Sequence, residues 1–224
     1  MKVLITGFDP FGGAAINPAY EAVKLLPDTI EGAEIHKLEI PTVFEKDGEV
    51  LAKAIDEQQP DIVICVGQAG GRSDISIEKV AINLMEARIP DNEQQQPLNQ
   101  VIHEDGETAY FATIPVKAMV SNVKEAGIPS SVSYTAGTFV CNDIMYRLLY
   151  LAEKKEQTIK GGFIHVPYLP EQVVDLPVGT PSLPVETIAK GLEAAVAAAI
   201  TTDEDQQVAM GTIMFLYVLK LHDC

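Results

Sequence analysis

Lys-Asp-Gly-Glu-Val-Leu-Ala-Lys-Ala-Ile-Asp-Glu-Gln-Gln-Pro-Asp-Ile-Val-Ile-Cys-Val, residues Lys46 to Val66, holds the fold in miniature. Lys46 to Gln59 reads as an amphipathic helix, and Pro60, which cannot continue a helix interior, ends it. Asp61 to Val66 is then a continuous apolar run, suited to the centre of a sheet buried on both faces. The same alternation extends outward in both directions. Lys2 to Gly7 reads as a buried strand entering a Gly/Pro loop. Pro18 to Leu26 has helical spacing, with Asn17 as N-cap and Pro18 at the first helical position. Ile35 to Ile40 reads as a strand, and Ser76 to Asn83 is extended in character. Asp91 to Glu107 is polar and reads as a long loop. Val116 to Ala126 is a helix, Ser131 to Tyr134 a strand, Asn142 to Glu153 a helix, Gly162 to Val166 a strand, and Val185 to Ile200 an Ala-rich helix. Strands alternating with helices predict one α/β domain over residues 1–200. Its three α/β/α layers hold a largely parallel (mixed) twisted sheet, with helices covering both faces.

Composition narrows the function classes. A chain of 224 residues with 47% hydrophobic and 21% charged residues is globular in type. Its 32 acidic against 16 basic residues give a formal net charge of -16. Such a surface repels nucleic acid and anionic membranes, and neither is an expected partner. Three cysteines cannot close a disulfide framework, and no secretory segment is evident, which points to a reducing cytoplasm. Residues 201–224 form an atypical tail, acidic over Thr201 to Gln207 and apolar over Val208 to Leu221. The apolar run falls short of the roughly 18 residues of a membrane span. It reads as a segment that docks on its own domain or on a neighbouring subunit, or as an artefact of the reading frame.

Two residues carry the chemistry. Cys141 stands in Ser-Tyr-Thr-Ala-Gly-Thr-Phe-Val-Cys-Asn-Asp (Ser133 to Asp143), which reads as strand, Gly-containing turn and helix. A thiol is a strong nucleophile near neutral pH only as the thiolate, and a helix start favours negative charge through its orphan N–H groups and dipole. His165, in Gly-Gly-Phe-Ile-His-Val-Pro-Tyr (Gly161 to Tyr168), follows an apolar strand and can reach the same sheet edge as a base. The competing reading of Cys141 is a small buried hydrophobe. Glu78, an acid amid apolar residues on an extended stretch, is the candidate third group that orients the imidazole. Two glycine loops follow strands, Thr-Gly-Phe-Asp-Pro-Phe-Gly-Gly (Thr6 to Gly13) and Gly-Gln-Ala-Gly-Gly-Arg (Gly67 to Arg72). Neither carries the Lys-Ser/Thr or the spacing of a nucleotide loop. The phenylalanines of the first suit an apolar ligand. Ligands bind outside the carboxyl ends of such strands, so both loops are expected near one site; each also reads simply as a tight turn.

Taken together, Thr6 to Gly13, Cys65 to Arg72, Glu78 to Asn83, Ala87 to Asn92, Ser133 to Asn142 and Gly161 to Tyr168 resemble the pyroglutamyl peptidase I (pyrrolidone-carboxylate peptidase) family of cysteine exopeptidases, from Lys2 to about Ala198. The resemblance implies Cys141 as nucleophile, His165 as general base and Glu78 as orienting acid. It implies that Phe8, Phe11 and Phe139 enclose a pyroglutamyl ring and that Arg88 assists the oxyanion site. It further implies a homotetramer with no cofactor or metal, acting on peptides with N-terminal pyroglutamate. The residues agree with that substrate. A lactam is neutral and needs apolar walls with a few hydrogen-bonding groups, for which backbone groups near Gln68 and Val140 and the Asn17 amide are candidates. The rivals are a nucleoside phosphorylase-like enzyme, a non-catalytic module that binds a cyclised N-terminus, and a cysteine amidase for another acyl group.

Overall fold

The computed structural model describes residues 1–154 and 159–211. Its main sheet has seven strands. In chain order they are β1 (Lys2–Phe8), β2 (Thr29–Ile30), β3 (Ala33–Ile40), β4 (Ile62–Gln68), β5 (Ile75–Glu78), β8 (Ser130–Ser133) and β9 (Lys160–Val166), arranged β2-β3-β1-β4-β9-β5-β8. A separate antiparallel pair joins β6 (Val80–Ile82) to β7 (Ala109–Phe111). β3, β1, β4 and β9 are mutually parallel, β5 runs antiparallel to β9, and β8 pairs parallel to β5. The sheet is therefore mixed with a parallel centre, as expected. Helices α1 (Pro18–Lys24), α3 (Val116–Glu125) and α5 (Val185–Thr201) pack on one face, and α2 (Lys46–Gln58) and α4 (Val140–Lys154) on the other.

Burial explains the apolar runs. All of β1 after Lys2, all of β4 before Gln68 and all of β9 after Lys160 are buried, because both faces are covered. The Asn17 side chain accepts from the Ala19 amide and caps α1, with Pro18 at its start. α2 ends at Gln59, in a left-handed conformation, directly before Pro60.

The extended stretch at 76–83 is divided. β5 belongs to the main sheet and β6 to the small one, with Lys79 between them. The long segment between β6 and β7 is held by side chains that satisfy its backbone. Asn83 Oδ1 accepts from the amides of Ile102 and His103 at 2.8 and 3.0 Å, and Asp91 Oδ1 from those of Glu93 and Gln95 at 2.9 and 2.8 Å.

The acidic start of the tail docks on the domain. Asp205 Oδ1 accepts from the amides of Lys117 and Ala118 at 2.9 and 3.1 Å, so it caps α3, which has no side-chain cap of its own. The apolar tail expected over Val208 to Leu221 lies outside the described residues from 212 onward.

Candidate active site

Two of the predicted residues are brought together by sheet register. Gly67 of β4 pairs with His165 of β9, and Glu78 of β5 pairs with Phe163 of β9. His165 is two residues beyond Phe163, so Glu78 and His165 are diagonal neighbours on one sheet face, within reach of long side chains. His165 Nδ1 lies 2.7 Å from Glu78 Oε1. A carboxylate only accepts, so Nδ1 carries the hydrogen and Nε2 presents a lone pair. Both side chains are buried, at 0% exposure for Glu78 and 4% for His165.

Helix α4 covers this face and delivers Cys141 as its second residue. The thiol needs the space above Gly67. A Cβ there would stand 2.9 Å from Cys141 Sγ and 2.7 Å from Phe163 Cζ, so only glycine admits the sulfur at this point. The sulfur thus sits over the strand position paired with His165. No hydrogen bond joins Cys141 to His165 in this resting arrangement. Such bonds commonly tighten only with substrate bound.

Electrostatics modify the expectation drawn from the helix start. Burial pushes the Cys141 thiol up to about 12, with the charge of Glu78 adding to the effect and Arg72 opposing it. Burial also lowers His165 below the ordinary histidine value, against the pull of Glu78. The Glu78 carboxyl is lowered despite its burial, because His165 and Arg72 favour its charge. The resting site is therefore a neutral thiol, a neutral imidazole and a carboxylate. The dipole is present, but desolvation outweighs it.

The pocket beside the thiol is lined by Phe8, Phe11, Asn17, Thr42, Gln68, Phe139, Val140 and Cys141. Phe11 and Phe139 lie 6.2 Å apart between ring centroids, and Phe44 meets Phe139 edge-on at 5.3 Å. The Asn17 amide is already engaged: Nδ2 donates to the Asp9 carbonyl at 2.9 Å and Oδ1 caps α1, which leaves one free N–H. Gln68 Oε1 accepts from Gln172 Nε2 at 2.8 Å. Arg88 lies two residues beyond Glu86, whose amide donates to the Thr138 carbonyl at 3.0 Å. It is exposed on the loop after β6 and does not line the pocket.

Some contributors were not foreseen. Arg72 Nη1 donates to Glu78 Oε1 at 2.7 Å, sharing that oxygen with His165, and Nη2 donates to the Thr135 carbonyl at 3.1 Å. The signal was an arginine ending the second glycine loop, six residues before a buried acid. Thr42 is tied to Asp9 by two hydrogen bonds, at 2.7 and 3.1 Å, and closes the pocket. Asn142, next to the thiol, clasps β6 through the Ile82 amide and carbonyl, both at 2.9 Å, and so fixes the first turn of α4.

A family model described as Pyroglutamyl peptidase matches residues 1–202. The chain belongs to the pyroglutamyl peptidase family. It is 60% identical over 212 residues to the pyrrolidone-carboxylate peptidase of Enterococcus faecalis, covering 95% of this chain and 99% of that protein. It is also 60% identical over 213 residues to that of Clostridium botulinum, covering 95% and 100%. Among solved structures, the pyroglutamyl peptidase I of Bacillus amyloliquefaciens superposes with a TM-score of 0.90 at 49% identity, covering 93% of this chain and 99% of that one. A pyrrolidone carboxyl peptidase mutant from Pyrococcus furiosus gives 0.86 at 43% identity, covering 89% and 98%. Membership makes this chain a cysteine-type peptidase of α/β fold. Among the described residues no helix is long and apolar enough to cross a membrane.

Proposed function

We propose that Cys141, His165 and Glu78 hydrolyse the amide bond that follows an N-terminal pyroglutamyl residue, by thiol acyl transfer. The observation that carries this reading is the seating of the Cys141 thiol over Gly67, beside the Glu78–His165 pair and at the wall of an aromatic pocket. Cys141 Sγ attacks the carbonyl carbon while its proton passes to His165 Nε2. Glu78 holds the ring through Nδ1 and stabilises the imidazolium. The Cys141 N–H, at the helix start where amides lack intrahelical acceptors, faces the developing oxyanion; one such donor is worth about 3 kcal/mol. Arg88 is the candidate second donor. The C–N bond then breaks, and His165 gives its proton to the leaving amine. Water attacks the thioester with His165 as base, the C–S bond breaks, and the proton returns to sulfur.

The pocket supports a neutral lactam. Phe8, Phe11, Phe139 and Val140 give apolar walls, and Gln68 and Asn17 give few polar atoms and no charge. Burying an ammonium there without a partner costs several kcal/mol. The decisive assay is release of a fluorescent amine from pyroglutamyl-amide, before and after iodoacetamide. Pyroglutamyl-alanyl peptide should be cleaved and the glutaminyl, glutamyl and prolyl analogues left nearly untouched. Equal cleavage of the prolyl peptide would mean that the pocket reads ring shape alone. Insensitivity to iodoacetamide would remove Cys141 from the reaction. The reading extends to a homotetramer acting in the cytoplasm, with residues 1–200 as its single catalytic domain. Sedimentation velocity tests the assembly.

A further inference from the structure

Beneath the first turn of α4 lies a second cluster of ionisable groups that the reaction does not use. Asp47 and Asp143 are both fully buried, and the Arg147 side chain is 13% exposed. Arg147 Nε donates to both oxygens of Asp143 at 3.0 Å, and the Glu45 amide donates to Asp143 Oδ2 at 3.1 Å. Asp47 Oδ1 accepts from the Gly48 amide, while Oδ2 is buried and faces no donor among the described residues. Two buried carboxyl groups with one cation cannot both be charged at modest cost. One proton resolves both problems: placed on Asp47 Oδ2, it satisfies the orphaned oxygen and donates to Asp143.

The cluster joins two walls of the candidate site. α2 has no side-chain cap of its own, and Glu45 before it is held at φ 65. Asp143, from α4, accepts from the amide of that residue. Gly48 gives Arg147 its berth, since a Cβ there would lie 2.2 Å from Arg147 Cδ. The 42–45 segment fastened in this way carries Thr42 of the pocket and Phe44, which packs on Phe139. Asp143 itself is two residues beyond Cys141.

We propose that Asp47 is a positioning residue: as a carboxylic acid it donates a hydrogen bond to Asp143 and clamps the 42–45 wall of the pocket to the helix turn that carries Cys141. Burial and the Asp143 charge hold the Asp47 carboxyl well above its ordinary range, against the Gly48 amide and Arg147. The other groups in its field are Cys65 of β4, Cys141, and His103, which lies near Arg147 and Asp143. On its own helix Lys46 turns outward to Glu93. Ionising Asp47 leaves two buried carboxylates to share the one Arg147 cation, so the clamp opens as pH rises.

The test is kcat and KM against pH for the whole enzyme and for Asp47→Asn and Asp47→Ala. Asparagine replaces the O–H donor with an N–H donor that does not titrate. Asp47→Asn should keep kcat/KM within about threefold at neutral pH, and its KM should stay flat where the wild-type KM climbs on the alkaline side. Asp47→Ala should raise KM about tenfold at all pH values. An Asp47→Asn KM that climbs along the wild-type curve, or an unchanged KM in Asp47→Ala, overturns the proposal. Infrared spectroscopy supplies a readout that needs neither turnover nor a variant that folds well. The wild type at neutral pH should show a buried carboxylic acid carbonyl band that titrates away only at alkaline pH, and its absence would also overturn the assignment. The proposal rests on Cys141 as nucleophile. Because the infrared band is independent of catalysis, an active Cys141→Ala variant would defeat that reading while the proton on Asp47 is judged separately.

Discussion

Gly67→Ala adds one methyl group between the thiol and the ring it rests beside, and removes no reacting group. The added carbon would stand 2.9 Å from Cys141 Sγ, 2.7 Å from Phe163 Cζ and 3.2 Å from Phe163 Cε1. Carbon contacts settle at about 3.5–4.0 Å, so the sulfur must retreat by roughly 0.6–1.1 Å and the ring by roughly 0.8–1.3 Å. Phe163 cannot yield freely, because it is fully buried and its ring centroid lies 4.8 Å from that of His165. The sulfur and the ring packed on His165 are therefore displaced together. A misplacement of about 1 Å costs on the order of 100-fold in rate, so kcat/KM should fall roughly 10- to 100-fold. Overpacking of this kind costs about 1–3 kcal/mol of stability, which for a chain of this size lowers Tm by roughly 2–12 °C. The assay is steady-state cleavage of pyroglutamyl-amide at a temperature well below the variant's melting point, with the iodoacetamide rate measured alongside. A loss below about threefold, in a folded variant whose thiol alkylates at the normal rate, would refute the seating of the sulfur over Gly67.

Arg72→Met should move the acidic limb of the kcat/KM profile to higher pH. The Arg72 charge lowers His165, so its removal lets the imidazole hold a proton to higher pH; an unmoved limb would separate Arg72 from the Glu78–His165 pair. Brief alkylation with peptide mapping should label Cys141 and spare Cys65. Burial pushes both thiols up to about 12, but Cys65 is fully buried while Cys141 opens on the pocket with His165 nearby, and rapid labelling of Cys65 would contradict the burial of β4. Asp205→Ala should lower stability by about 1 kcal/mol in urea unfolding, the usual worth of a helix cap, with kcat unchanged. A null effect would show that the tail's acidic start does not hold α3.

Much of the fold was legible because its determinants are local. The central strands are continuous apolar runs, α1 announces its start with Asn17 and Pro18, and α2 stops at Pro60. The direction of β5 was not legible. It is fixed by pairing with residues almost 90 positions away in β9, and no period in 75–83 records either that or the break at Lys79. Short strands such as β2 and β7 carry too few residues for a pattern. In the site, Cys141, His165 and Glu78 stood out by residue type. Arg72 did not stand out from sequence, because it merely ends a quoted loop and only the loop path brings it to Glu78. Asp47 was invisible for the same reason: on a helix start it reads as an ordinary acid of the first turn, and its burial is a property of α4 lying across it.

The charge state of the thiol shows how local and tertiary effects divide the work. A helix start favours the thiolate by about 0.3–1 kcal/mol at exposed positions, rising to about 2 where partly buried. Each unit of pKa is worth about 1.4 kcal/mol, so a thiol raised from 9.0 to about 12 reflects roughly 4 kcal/mol against the anion, more than the dipole returns. The resting enzyme thus keeps its sulfur protonated, and the ion pair forms only as attack begins, when the same desolvation that disfavoured it strengthens Glu78 on the imidazolium and the amide on the oxyanion. A site so arranged has no standing charge in its pocket to hold a substrate ammonium. Its preference for an N-terminus whose amine is tied into a lactam then follows from the state of the nucleophile as much as from the shape of the phenylalanine walls.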